Sequence, residues 1–348
     1  MPPLRTPSVT VHIDGSTGEG GGQVVRTSLA LAAVRGERLV IENVRANRDE
    51  PGLKAQHLAC VRALADMTEA TVEGDEQASE RVVFEPAEDA PRGGEYEVEV
   101  GTAGAVTLVA HAVLPAALHA DGDVKFRIRG GTHVRWSPTF EHLERVFLPI
   151  LREAGAEVSV GLIRRGHYPQ GGGEIVLRVS PSSLSPVEPR RGELRRIEGV
   201  SHACGLPEHI VERQADSVRE VLAELDVPVE IEEIHVEEEV PSKGTAVTLI
   251  GDAGTRLGGS ALGERGKPAE EVGREAAEKL VEAIESGADV DGYVADQLVP
   301  YVALAGGSYD APRVTSHLET NVEITSNFAE VSLDGTLVSK NNKGQDAR

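Results

Sequence analysis

An α/β protein built from a repeated strand-and-helix unit is the fold class this sequence predicts, on three observations. Strand-like and helix-like patterns alternate along the chain, two stretches of about 85 residues repeat the same order, and a Ser/Pro-rich segment breaks into what begins as a third copy. In the first unit, residues 9–13 alternate as a strand, 23–34 read as a helix, 39–44 as a strand and 52–67 as an amphipathic helix. In the second, 96–100 is a strand, 103–118 a helix, 124–129 a strand and 138–154 a helix. The long helices share wording: His57, Leu58 and Val61 before Glu-Ala-Thr-Val-Glu-Gly match His142, Leu143 and Val146 before Ala-Glu-Val-Ser-Val-Gly. A third copy reads as opening at 175–179. A linker over 180–189 interrupts it, and a helix pair resumes at 270–286 and 293–304. Between those points lie a strand near 194–200, a helix over 208–225, strands over 229–236 and 245–249, and a Gly-rich loop over 251–266. The expected domains are therefore a discontinuous large one, 1–184 with 274–348, and an inserted small α/β one, 185–273.

At 348 residues, 40% apolar and 26% charged, the chain is neither disordered nor fibrous. Its longest apolar run, 106–120, falls short of the roughly 20 residues of a membrane helix and is broken by His111 and Pro115, so no membrane span is expected. The first ten residues lack a secretion pattern, and the two cysteines, Cys60 and Cys204, lie far apart; the expectation is a cytoplasmic protein with reduced, buried or inert thiols. Lys and Arg number 35 against 57 Asp and Glu, a net charge of −22, with Arg far commoner than Lys. Bulk attraction to nucleic acid is excluded, and any polyanion must be held by a local basic site. A carboxylate-rich, Lys-poor chain fits a halophile, where high salt shortens the reach of electrostatics; an ordinary acidic bacterial protein is the other reading.

Three clusters carry chemistry. Asp14-Gly-Ser-Thr-Gly-Glu-Gly-Gly-Gly-Gln-Val-Val-Arg26 leaves a strand through glycines and enters a helix, a way to present a helix N-terminus to an anion. It is neither a Walker loop nor a dinucleotide fingerprint, but it brings Glu19, Gln23 and Arg26 together, against the competing reading of a tight turn with a solvated acid. The two Arg of Arg45-Ala-Asn-Arg48 can clamp phosphate oxygens or merely pair with surface acids, and Gln56 and His57 after them can cap the helix or face a pocket. Near the C-terminus stand Tyr293-Val-Ala-Asp296-Gln297 and His317-Leu-Glu-Thr-Asn321, with His317 expected at the beginning of a strand over 322–324. None of the eleven His forms a zinc spacing with the two Cys, so the His are not read as metal ligands.

Together these blocks resemble the RNA 3′-terminal phosphate cyclase family: Gly-Glu-Gly-Gly-Gly-Gln at 18–23, Arg-Ala-Asn-Arg-x-x-Pro-Gly at 45–52, Tyr-Pro-Gln-Gly-Gly-Gly at 168–173, Tyr-Val-Ala-Asp-Gln at 293–297 and His-Leu-Glu-Thr-Asn at 317–321. The resemblance runs from about residue 10 to 327. It implies three repeats, each a four-stranded sheet on two helices, plus a smaller α/β insert. It also implies an enzyme that uses ATP and a divalent cation, Mg or Mn, to adenylate a His, passes AMP to an RNA 3′-phosphate and lets the 2′-hydroxyl close a 2′,3′-cyclic phosphate. His317 matches the adenylated His and Glu19 a carboxylate near the metal. Arg26, Arg48 and Gln56 match groups around the phosphates. Tyr293 matches the adenine surface with Pro138 opposite, and Gln23, Val294, Ala295, Asp296 and Gln297 belong to the nucleotide site. His111 stands where members can carry Gln, and its charge state would make a nucleotide contact pH-dependent. Low base selectivity in the RNA is the expectation. Two other readings stay open: a non-catalytic cyclase-like factor of ribosomal RNA maturation, which lacks the nucleophile, and an enolpyruvyl-transferase-like enzyme of similar repeated architecture. Oligomeric state is not legible.

Overall fold

The first repeat opens with β1 (Thr10–Asp14), α1 (Gly22–Arg35) and β2 (Arg38–Glu42), and β2 pairs parallel to β1 from Thr10 opposite Arg38 to Asp14 opposite Glu42. A computed structural model describes residues 9–101, 103–237 and 240–340. α2 (Ala55–Thr68), β3 (Thr71–Glu73) and β4 (Val82–Glu85) complete the unit as a sheet of order β1-β2-β4-β3. The second repeat copies it: β5 (Gly94–Glu99), α3 (Val106–Leu118), β6 (Val124–Gly130), then α4 (Phe140–His142) running through a π-helical turn over Leu143–Phe147 into α5 (Leu148–Glu153), then β7 (Glu157–Arg164) and β8 (Gly173–Ser180). Its order, β5-β6-β8-β7, has the same parallel, antiparallel, antiparallel pairing as the first sheet. The duplication read from the sequence is therefore a duplication of topology.

The sequence places the opening of the third copy at 175–179, but that segment is β8 of the second sheet. Its near-continuous apolar run is a central strand with both faces covered, a pattern that does not reveal which sheet it joins. The third unit opens instead at Val187, which makes a parallel bridge to Gly307. An insert follows: β9 (Arg196–Cys204), α6 (His209–Leu222), β10 (Val229–Val236), β11 (Gly244–Ala253), β12 (Thr255–Leu262) and α7 (Ala269–Glu285), its sheet ordered β10-β9-β11-β12. The segment expected as a Gly-rich loop over 251–266 is largely the β11–β12 hairpin. α8 (Gly292–Gln297), α9 (Val299–Ala305), β13 (Gly307–Asp310), α10 (Ser316–Ser326), β14 (Ser332–Asp334) and β15 (Leu337–Lys340) finish the third unit. Its three-stranded sheet, β13-β15-β14, has the Val187 bridge in the place of a fourth strand.

Two apolar cores result. The larger joins all three repeats, and α1 and α3 are buried on nearly every face within it, as expected of helices apolar all round. The smaller contains Ile197, Val218 and Leu249 together with Val272, Ala276 and Leu280 of α7. α7 thus packs on the insert sheet rather than opening the third repeat, whose helices are α8–α9 and α10. The boundary expected at 273/274 falls inside this helix, and packing moves it beyond Glu285. α7 is strongly one-sided, but a one-sided helix does not say which sheet its apolar face will cover. Cys60 and Cys204 are free and buried. Among the described residues, no helix is long and apolar enough to cross a membrane.

Candidate functional site

The repeats put the N-terminal turns of α1, α2, α3, α8 and α10 around one cleft of about 780 Å³. Backbone N–H groups that lack intrahelical partners point out of such turns, and with the aligned peptide dipoles they favour an anion. A local anion-favouring site of this kind is compatible with a net charge of −22. The expected residues His317, Glu19, Gln23, Arg26, Arg48, Gln56, Pro138, Tyr293, Asp296 and Gln297 all line the cleft.

The glycine loop places Glu19 and α1. Asp14 Oδ1 accepts from Ser16 N and Oγ at 2.9 and 2.7 Å and from Asn43 Nδ2 at 3.2 Å, pinning the exit of β1. Gly18 has φ +58° and lies against Thr320, and a Cβ at Gly22 would overlap the His57 ring. Those two glycines let α10 and α2 close on the loop. Glu19 Oε1 then accepts from Ser316 Oγ at 2.5 Å, while Oε2 lies 3.1 Å from Arg48 Nη2 and 3.9 Å from His317 Nε2. The Ser316 hydrogen bond, helped by His317, holds the Glu19 carboxyl below its usual range. One ionised carboxylate beside an anion-favouring surface could hold a hard divalent cation.

His317 is not at a strand's start. It is the second residue of α10, which Thr315 caps by accepting from Leu318 N at 3.0 Å. The alternation over 322–324 is part of a helical stripe in which Leu318, Asn321 and Thr325 are buried. The imidazole is half exposed at the cleft. Arg45, read from sequence as a possible clamp, donates instead to the carbonyls of Glu50 and Gly52 at 2.9 and 3.0 Å and shapes the loop that carries Arg48. Gln56 Oε1 accepts from Ala105 N at 3.1 Å, tying α2 to the entry of α3.

Arg26 lies at the cleft floor with no carboxylate within pairing distance among the described residues, and burial lowers its pKa. Below it a cavity of about 70 Å³ is walled by Gln23, Arg26, His111, Asp296, Gln297 and Tyr301. The atoms His111 Nε2, Asp296 Oδ1, Gln297 Oε1 and Tyr301 Oη are buried there without a hydrogen-bond partner among the described residues. Such groups are costly unless something pairs with them. His111 therefore sits beneath the cleft rather than in its wall, edge-on to Phe147 with ring centroids 4.4 Å apart. Burial drives its pKa to about 3, so it is neutral near pH 7 and the expected pH dependence does not arise there. The side chains of Val294 and Ala295 are buried in the large core, which leaves their backbone as what they can offer the cleft.

Tyr293, 41% exposed, is held by Asp291, which caps α8 by accepting from Tyr293 N and Val294 N and takes further bonds from Gly258 N at 2.8 Å and His142 Nε2 at 3.1 Å. His57, left open in the sequence between a helix cap and a pocket residue, is both: its Nδ1 accepts from Lys54 N at 3.1 Å and its side chain lines the cleft. Residues the sequence reading did not select also line the cleft: Leu108, Arg135 and Trp136. Trp136 is 88% exposed with φ +61°. As the chain's single tryptophan it was the one available signal.

Asp296 gives a test of this floor. Burial raises its pKa to about 7, against a hydrogen bond from Thr315 that lowers it. A folded-state value above the unfolded one means stability present in full below about pH 4 and lost as pH rises through about 7, on the order of 4 kcal/mol. Asp296→Asn should therefore be more stable than the parent at pH 8 and no more stable at pH 4, read from denaturant midpoints across that range. A constant difference between the two proteins would contradict the buried, proton-binding carboxyl.

With this geometry in hand, the comparisons with known proteins fall into line. A family model described as RNA 3′-terminal phosphate cyclase matches residues 17–334. The chain is 45% identical over 320 residues to a curated RNA 3′-terminal phosphate cyclase of Pyrococcus furiosus, covering 91% of this chain and 93% of that one. It is 44% identical over 328 residues to one of Saccharolobus islandicus (93% and 96% covered) and 43% identical over 334 residues to one of Methanopyrus kandleri (93% and 94%). A solved EPSP synthase from Acinetobacter baumannii matches 62% of this chain and 55% of its own at 13% identity with a TM-score of 0.27, too slight a likeness to bear on fold or function.

Proposed function

Because the chain belongs to the RNA 3′-terminal phosphate cyclase family, we propose that it converts an RNA 3′-phosphate to a 2′,3′-cyclic phosphate at the expense of ATP, with His317 as the nucleophile. The observation that carries this is the placement of His317 beside Glu19 in a cleft floored by Arg26 and ringed by helix N-termini. A ring nitrogen of His317 attacks the α-phosphorus of ATP, a P–N bond forms, and the P–O bond to pyrophosphate breaks. A 3′-phosphate oxygen of RNA then displaces His317 from the nucleotidyl phosphorus. Finally the 2′-oxygen, losing its proton, attacks the 3′-phosphorus and expels AMP. Arg26 and Arg48 offer fixed donors to phosphoryl oxygens as charge develops, Tyr293 and Pro138 offer walls for adenine, and the exposed Trp136 offers a face for the terminal base. A divalent cation, Mg or Mn, held through Glu19 would neutralise charge between phosphate oxygens. Requirement for the 2′-hydroxyl separates RNA from DNA at ring closure. A cytoplasmic, salt-adapted protein is part of the same reading, supported by the acidic composition.

The test is incubation with ATP labelled at the α-phosphate. The expected result is an acid-labile, alkali-stable label on the protein that RNA ending in 3′-phosphate removes and RNA ending in 3′-hydroxyl does not. An unlabelled protein would favour a binding factor. For Glu19→Ala, the metal concentration giving half-maximal labelling should rise about tenfold, and an unchanged titration would remove Glu19 from the metal's surroundings.

A further inference from the structure

We propose that the junction between the second repeat and the insert is a metal site in which His133, His167 and His202 bind one zinc-class divalent ion. The three come from separate elements: His133 follows β6, His167 lies in the β7–β8 connection, and His202 is on β9 of the insert. One ring nitrogen of each lies within 4.8 Å of the others. Their relative exposures are 2%, 4% and 1%. Ring centroids of His133 stand 5.5 Å from His167 and 4.3 Å from His202, with 5.2 Å between the latter two.

Packing alone leaves this cluster incomplete. Nε2 of His167 and Nε2 of His202 are buried with no hydrogen-bond partner among the described residues, and a bound cation would satisfy both. His133 is already arranged as a metal-bound His is. Its Nε2 lies 2.6 Å from Glu141 Oε2, and Arg165 Nη2 lies 2.8 Å from the other Glu141 oxygen. A carboxylate on one ring nitrogen fixes the tautomer that leaves the other as a lone-pair donor. That other nitrogen, Nδ1, lies 2.8 Å from Thr132 Oγ1, whose hydroxyl has a second acceptor in Gly166 O at 3.3 Å and so can release it. Gly244 of β11 leaves room for the His167 ring, which a Cβ there would overlap. Tetrahedral zinc holds nitrogens at about 2.0–2.1 Å, so closure requires only that the rings swing inward, with water as the fourth ligand. The sequence could not reveal the site, because its members lie 34 and 35 positions apart with none of the short spacings of a zinc motif. The ion would clamp the insert to the repeats.

The test uses the full chain, stripped with chelator, given Zn²⁺ or Co²⁺ and freed of loose metal by gel filtration. One equivalent should remain on the parent and on Glu19→Ala, which separates this site from the cleft. Co²⁺ should give the intense visible bands of a tetrahedral site, and Zn²⁺ should raise the melting temperature by several degrees. His202→Leu, which keeps apolar volume, should retain less than a tenth of an equivalent and lose the melting shift; His167→Gln serves equally if the first variant does not fold. Parent protein without retained metal or without tetrahedral Co²⁺ bands overturns the proposal, as does metal that stays on His202→Leu or leaves with Glu19→Ala. None of these readouts depends on the cyclase reaction.

Discussion

His317→Ala should carry no α-phosphate label from ATP after any length of incubation, while its circular dichroism and unfolding midpoint stay close to those of the parent. The reason is the division of roles along α10. Its buried side, Leu318, Asn321 and Thr325, holds the helix on the core, with Asn321 Nδ2 donating to Asp296 O and Oδ1 accepting from Thr27 Oγ1 at 2.7 Å. The His317 ring faces the cleft half exposed, and no hydrogen bond among the described residues depends on it. Removal deletes the atom proposed to form the P–N bond and little else, so the effect should be at least about a thousandfold on adenylation and within about 0.5 kcal/mol on stability. Supplying pre-adenylated RNA should bypass the defect in large part, because ring closure needs the 2′-hydroxyl rather than His317. A variant that still labels would move the nucleophile elsewhere.

Arg26→Met is expected to act in opposite directions on catalysis and on the fold. The guanidinium sits at the cleft floor with no carboxylate partner among the described residues, and burial already lowers its pKa. It also helps hold His57 neutral, with a pKa near 3 that is due first to burial and then to Arg26. A desolvated, unpaired cation is costly to the empty protein and useful only when phosphate arrives. Methionine keeps the apolar stem and removes the charge. Adenylation should fall about 10²- to 10³-fold in kcat/KM, while the ligand-free protein should melt higher. Saturating ATP should stabilise the parent more than the variant, which calorimetry with and without nucleotide will read. Equal melting temperatures without ATP, together with undiminished labelling, would make Arg26 a structural residue.

Particular residues mark how far the sequence could be read. The glycine loop announced Glu19, Gln23 and Arg26 because a strand-to-helix turn rich in Gly and polar groups has few purely structural uses, and all three reach the cleft. Trp136 went unselected, and His57 stayed undecided between cap and pocket, because neither local spacing nor composition says which side of a loop or helix turn meets a residue 180 or 260 positions later. Val294 and Ala295 came with a motif, and a motif does not separate backbone from side-chain roles. The misplacement of α7 has the same origin. Its apolar stripe promised burial, and the insert sheet and the third repeat were both available to provide it.

By itself, then, the order of residues determined the local elements, the doubling of the strand-and-helix unit, the absence of a bulk positive field and the family to which the chain belongs. Those features rest on short-range preferences and on patterns that survive in one dimension. Tertiary structure alone decided that helix starts from three repeats meet at one cleft, that His317 opens a helix beside Glu19, that His111 is sealed beneath the floor, and that three distant imidazoles share a buried junction. Each is a consequence of which apolar faces find one another, and burial and side-chain proximity exist only after that choice is made.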